Sequence, residues 1–207
     1  IVGDELRIDN IPINSKITFL VTTPNSIILS SNNQIVQYNY LGEELKTITL
    51  NKNYTIKNLA RSGQGIIVIG QNERADLYND FFIQLYDRDL NLTKSNQFGT
   101  NKFSDDPNSI SIIKSNILSE PEGYFFVMNL RKYKRDALSA EKAILIKLNR
   151  EMEPEFYKLI DSYRSGVSSS SYLVRYKNEL LCIGPTFWNR QKGYSFIKMD
   201  MDGIIQE

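Results

Sequence analysis

The stretch from Ser109 to Ile160 constrains this chain more than any other, because it reads as one complete four-stranded unit and the chain repeats it. Ser109-Ile110-Ser111-Ile112-Ile113-Lys114 is short, rich in Ile and bounded by polar residues, which suits a strand. Ser119-Glu120-Pro121-Glu122-Gly123 then supplies a reversal, with Pro fixing φ and Gly accepting φ > 0. Tyr124-Phe125-Phe126-Val127-Met128 is apolar without alternation, as a strand buried on both faces reads. A polar run, Arg131 to Lys142, separates it from a third strand, Ala143 to Leu148. Asn149-Arg150-Glu151 turns the chain into a mixed fourth segment, Pro154 to Ile160. Pro154 has no N–H for a neighbouring strand, so this segment is predicted at a sheet edge. Such a meander has its second strand most buried and leaves an apolar face bare. Copies must pack face to face to cover it.

The same pattern divides the chain into units at about 17–50, 55–98, 109–160 and 166–207, forming a single domain. The first has predicted strands Ile17–Thr22, Ile27–Ser30, Ile35–Tyr40 and Leu45–Leu50, turned by Pro24-Asn25 and Leu41-Gly42-Glu43. The second has Thr55–Ala60, Gly65–Gly70, Phe81–Tyr86 and Leu92–Phe98, turned by Ser62-Gly63-Gln64 and Asp87-Arg88-Asp89. The fourth has Val167–Tyr176, Leu180–Gly184, Tyr194–Met199 and a remnant at Ile204–Gln206. Residues 1–16 hold a candidate closing strand, Glu5–Ile11. Helical periodicity is weak, and only Arg131–Lys142 has room for a turn or two of helix.

Composition excludes several functions. The net charge of +1 argues against a dedicated nucleic-acid binder, which needs many uncompensated cations. No apolar run is long enough to span a bilayer as a helix. There is no histidine, and Cys182 is the one cysteine, so His-dependent triads, His/Cys zinc sites and an internal disulfide are all excluded. Cys182 lies in the apolar run Leu180-Leu181-Cys182-Ile183 and reads as a buried small hydrophobe. Hydrophobic residues at 41% and charged residues at 24% describe ordinary globular material. The first residue is Ile and no signal sequence is seen, which reads as processing or as a segment of a longer chain.

Glu122-Gly123-Tyr124-Phe125-Phe126-Val127, followed by Ala143 to Asn149, resembles the bacterial β-propeller repeat. In that repeat a Gly-Tyr-aliphatic strand precedes an aliphatic-Lys-Leu-Asp hairpin. Tyr194 to Gly203 repeats the second half closely, Phe81 to Asp87 more loosely, and Gly65 to Gly70 repeats the first half. The resemblance implies an all-β, propeller-like fold of about four four-stranded antiparallel blades, as a small ring or an arc of a larger one. It also implies an extracytoplasmic location, since many extracytoplasmic bacterial proteins share the pattern. It implies no particular activity and no cofactor.

In a propeller blade the connections between strands two and three share a face with the links between blades. Nearly all the loop length falls in that group: Gln71–Asp80, Arg131–Lys142 and Phe187–Gly193 within units, Gly99–Asn108 and Asp161–Gly166 between them. Long loops on a rigid scaffold are where binding sites sit. Units three and four together offer a basic, aromatic candidate site. It comprises Arg131, Lys132, Tyr133, Lys134 and Arg135 from one loop, and Phe187, Trp188, Arg190 and Lys192 from the other. Trp, Tyr and Arg together suit protein recognition, and aromatic faces also stack on sugars. The loop Gln71–Asp80 is instead acidic, with Glu73, Asp76 and Asp80.

Other motifs read more plainly. Asp200-Met201-Asp202-Gly203 lacks the later ligands of a calcium loop and suits a hairpin. Ser104-Asp105-Asp106-Pro107 reads as a solvated turn, and Ser168–Ser171 as small residues packed near an axis. Two function classes remain. One is a non-catalytic extracytoplasmic binding or scaffold module with a protein partner. The other is a propeller that binds or cleaves glycans through Asp, Glu, Tyr and Arg.

Overall fold

Side chains alternate between the two faces of a strand, so a strand that is apolar at every position needs a partner sheet on each side. The chain meets this demand with four antiparallel sheets placed one after another. The computed structural model describes residues 17–63, 65–73, 79–98, 110–132, 141–160, 172–188 and 191–205, and no helix occurs among them. Sheet I is β1 (Phe19–Thr22), β2 (Ile27–Ser31), β3 (Gln34–Tyr38) and β4 (Glu44–Thr49). Sheet II is β5 (Tyr54–Ser62), β6 (Gly65–Glu73), β7 (Asn79–Asp87) and β8 (Leu92–Phe98). Sheet III is β9 (Ile110–Glu120), β10 (Gly123–Lys132), β11 (Glu141–Asn149) and β12 (Pro154–Ile160). Sheet IV has three strands, β13 (Tyr172–Tyr176), β14 (Glu179–Trp188) and β15 (Gln191–Asp200).

Each sheet is a meander in chain order, with Pro154 on the edge strand β12 as its missing N–H requires. The first strands β1, β5, β9 and β13 lie side by side from sheet to sheet, which puts them innermost. Three apolar cores alternate with the sheets. Ile28 and Ile35 of sheet I meet Ile66, Val68 and Phe82 of sheet II. The opposite face of sheet II, with Ile67, Ile69 and Ile83, meets Tyr124, Phe126 and Ile146. The far face of sheet III, with Phe125, Val127 and Leu145, meets Leu180, Cys182 and Ile197. Cys182 is therefore a core residue, as its apolar run predicts. Both faces of β10 are used, which is why its sequence does not alternate.

One hairpin joins the third strand to whatever follows it in all four sheets, and it explains a repeat the sequence only half shows. An Asn or Asp opens it. The side-chain Oδ1 of that residue accepts backbone N–H bonds from two and four positions on. Asn39 accepts from Leu41 and Glu43, Asp87 from Asp89 and Asn91, Asn149 from Glu151 and Glu153, and Asp200 from Asp202 and Ile204, all at 2.8–3.0 Å. The residue three positions on takes positive φ: Gly42 (84°), Leu90 (54°), Met152 (68°) and Gly203 (71°). Glycine suits that conformation, whereas Leu and Met cost about 1 kcal/mol there. Leu90 and Met152 are nonetheless buried in the cores between sheets I–II and II–III. Burying such a side chain contributes about 1.5–3 kcal/mol, which exceeds the strain. Asp200-Met201-Asp202-Gly203 is this hairpin.

A lysine ties each fourth strand to the next hairpin along. Lys46 Nζ of β4 donates to the Asp89 carbonyl at 2.7 Å. Lys94 of β8 donates to the Arg150 carbonyl at 2.7 Å, and Lys158 of β12 to the Asp202 carbonyl at 2.6 Å. These three clasps hold the hairpins of sheets II, III and IV at one end of the molecule. They are largely exposed, so each is worth little alone, but they set the relative height of the sheets.

The first interface also holds a titrating group. Tyr86 is 4% exposed, and its hydroxyl shares a 2.9 Å hydrogen bond with Gln84 Oε1. Burial, and then the neighbouring Tyr54, push its pKa up to about 12 from the ordinary 10.0. The unfolded tyrosine therefore loses its proton near pH 10, while the folded one keeps it to about 12. Stability should be unaffected by this group below pH 10 and fall through that window by about 3 kcal/mol at most. Tyr86→Phe should flatten that part of the profile in denaturant titrations. An unchanged profile would contradict the burial of the hydroxyl.

Three predicted boundaries move. β9 runs on to Glu120, well past Lys114, because pairing with β10 outweighs its polar residues Ser115 and Asn116. The first strand of the last unit is described only from Tyr172. Phe187–Gly193 is not a long loop: β14 continues to Trp188 and β15 begins at Gln191, a tight hairpin. The candidate closing strand Glu5–Ile11, the pair Asp105-Asp106, the run Ser168–Ser171 and most of the proposed helical turn lie outside the described residues.

Candidate binding face

With the Asx hairpins aligned at one end, the connections between second and third strands fall at the other. The inner strands of the sheets differ in how far they reach toward it. β2 and β3 have 5 residues each, whereas β10 has 10, β14 has 10 and β15 has 10. At about 3.3 Å per residue, five extra residues raise sheets III and IV roughly 16 Å above sheet I. Paired strands of that length stand rigidly where an unpaired loop would not. The loop end is therefore a stepped surface, low over sheet I and high over sheets II, III and IV, since β6 and β7 have 9 residues each.

Two contacts fix those sheets to each other. The Leu173 N–H donates to Asn116 Oδ1 at 2.8 Å. Arg175 Nη1 donates to Glu120 Oε2, with Glu122 Oε2 4.0 Å away. Glu120 is buried, and a buried carboxylate left without its cation is costly. The pair therefore resists any shear of sheet IV along sheet III.

Register sorts the candidate residues. Alternation along β10 puts Phe125 and Val127 on the side of sheet IV and assigns position 131 to the same side. Alternation along β14 puts Leu180 and Cys182 on the side of sheet III, and assigns position 188 likewise. Positions 131 and 188 thus fall on facing sides of sheets III and IV, near their loop ends. Phe187 and Lys192 are cross-strand partners on the opposite face of sheet IV. Lys132 falls on the opposite face of sheet III, paired with Ile110. Tyr133, Lys134, Arg135 and Arg190 lie outside the described residues. Of the nine candidates, Arg131, Lys132, Phe187, Trp188 and Lys192 are strand positions of sheets III and IV.

The acidic side is also reduced. Asp80 belongs to β7, is buried, and accepts a 2.9 Å hydrogen bond from Gln97 Nε2. It braces the top of sheet II and does not add to an exposed acidic loop. Among the described residues no three of Asp, Glu and Cys gather closely enough to hold a metal ion. No described helix is long and apolar enough to cross a membrane. The sequence did not disclose the Asx hairpin or the lysine clasp, although an Asn or Asp three residues before Gly42 and Gly203 was a signal for the first.

No known protein family and no curated protein matches the chain. Solved structures do. The subtype N10 neuraminidase-like protein of A/little yellow-shouldered bat/Guatemala matches with a TM-score of 0.54 at 13% identity, over 87% of this chain and 53% of its own. A protein of unknown function from Bacteroides caccae (TM-score 0.40, 11% identity) and the N-terminal domain of Nup159 (0.36, 12%) each match over 93% of this chain. They cover 80% and 62% of those two chains respectively. This chain spans about half the length of the neuraminidase-like protein, and at such identity the likeness is one of fold. Four antiparallel sheets fanned with their first strands innermost, and this neighbour, establish a β-propeller-type fold.

Proposed function

We propose that the chain is a non-catalytic binding module that takes a protein partner at the raised loop end of sheets III and IV. The observation that supports this reading is the register that assigns positions 131 and 188 to facing sides of two sheets, on long paired strands. Arg and Trp are enriched among interface hot spots: Trp covers much area with two torsions to order, Arg adds a planar fork of donors, and rigid strands reduce the ordering cost. The reading also places the module outside the cytoplasm, following the repeat resemblance, and cell fractionation checks that.

Trp188→Ala and Arg131→Ala should each weaken capture of the partner by tenfold or more, the usual scale of a hot spot of about 2 kcal/mol. The partner would be isolated with the intact chain and affinity measured by calorimetry. Thermal unfolding should barely change. Loss of the fold in Trp188→Ala would make that residue core and end the proposal. Retention of a glycan in place of a protein would favour the sugar-binding class.

A further inference from the structure

The outer face of sheet IV is built like the interior of the molecule, yet several of its described apolar residues are exposed. Its cross-strand rows read Tyr172–Ile183–Phe196 and Val174–Leu181–Lys198. Tyr172 is 59% exposed, Val174 44%, Tyr194 74% and Phe196 67%. The opposite faces of these strands are buried against sheet III. The other end of the fan differs: Ile27, Leu29 and Tyr38, on the outer face of sheet I, are already buried. A contiguous aromatic and aliphatic sheet face in water marks an interaction surface.

We propose that this face seats a further blade of the same ring, carried by the same polypeptide. Continuity supports this occupant. At all three internal interfaces the next sheet along brings alternating apolar residues from its inner strands, and an apolar residue from its Asx hairpin: Leu90, Met152 or Met201. The exposed face continues that series in position, pairing pattern and residue type. The incoming sheet accordingly presents aliphatic or aromatic residues at alternate positions of its second and third strands. It also carries an Asx hairpin with an apolar residue that drops between the sheets. A second copy of the described fan offers less of such a face at its far end, where Ile27, Leu29 and Tyr38 of the first sheet are already buried.

Hydroxyl-radical footprinting tests the assignment. The polypeptide as its cell makes it is compared with the 207-residue chain over a range of concentrations. The expected result is severalfold slower oxidation of Tyr172, Tyr194 and Phe196 in the cellular polypeptide, at every concentration, with fast oxidation in the 207-residue chain. Equal, fast oxidation in both would overturn the proposal. So would protection that grows with concentration in the 207-residue chain, which would mean a second copy. Protection lost when a separate protein is stripped away would overturn it too.

Discussion

Gly123→Ala should destabilise the protein by about 3 kcal/mol, because two strands approach here more closely than a side chain allows. A Cβ at Gly123 would sit 2.1 Å from the Leu148 carbonyl oxygen, a backbone atom that cannot swing aside. Gly65 occupies the same place in sheet II, where a Cβ would meet the Tyr86 carbonyl oxygen at 2.0 Å. Each glycine pairs with the residue that opens the Asx hairpin, Asn149 for Gly123 and Asp87 for Gly65. Glu179 pairs with Asp200 in sheet IV, so the hairpin alone does not demand glycine; the tight strand approach in sheets II and III does. Gly63 is the control, since nothing lies within 4 Å of a Cβ there. Gly63→Ala should change stability by less than about 0.5 kcal/mol in the same urea titrations. Equal effects at the two positions would contradict the register of β10 on β11.

Phe126→Ala should be the more damaging substitution, at about 4 kcal/mol. Its side chain is 0% exposed and sits where sheets II and III meet, among Ile69, Phe81, Ile83 and Ile146. Removing the ring leaves a cavity between two flat sheets that cannot close around it without disturbing Met152 and its hairpin. Phe196→Ala removes the same group from the outer face of sheet IV and should cost well under 1 kcal/mol in the isolated chain. Urea unfolding of both variants checks the contrast. Comparable losses would mean that the sheets do not face each other in this order.

The fold was legible where residues alone determine it. The unbroken apolar run Tyr124 to Met128 announced a strand with two buried faces, and Pro154 announced an edge. Gly123 reads in the sequence as a turn glycine, and the close strand approaches at Gly65 and Gly123 emerge only in the structure. The Asx hairpin was hidden because Leu90 and Met152 occupy the positive-φ position that a reader expects glycine to fill. Burial in the next core compensates for that choice, and burial between sheets is not visible in a local window. The hairpin at Trp188 and Gln191 was misread for a related reason. Asn189-Arg190-Gln191-Lys192-Gly193 has loop composition, but pairing with β14 imposes strand geometry on most of it. The candidate face is the least legible, because which of positions 131 and 132 faces the strand that carries position 188 depends on register, and composition carries no register.

The account rests on sheets that stack face to face in chain order, and methyl-labelled NMR tests this most directly. Cross-peaks should join the methyls of Ile69 and Ile83 to those of Met128, Ile144 or Ile146, and the methyls of Leu145 to those of Leu180 or Ile197. Amide pairing should be absent between the edge strands β8 and β9. Continuous amide pairing through β8 and β9, with no methyl contacts between sheets II and III, would mean a single closed sheet and would contradict the account.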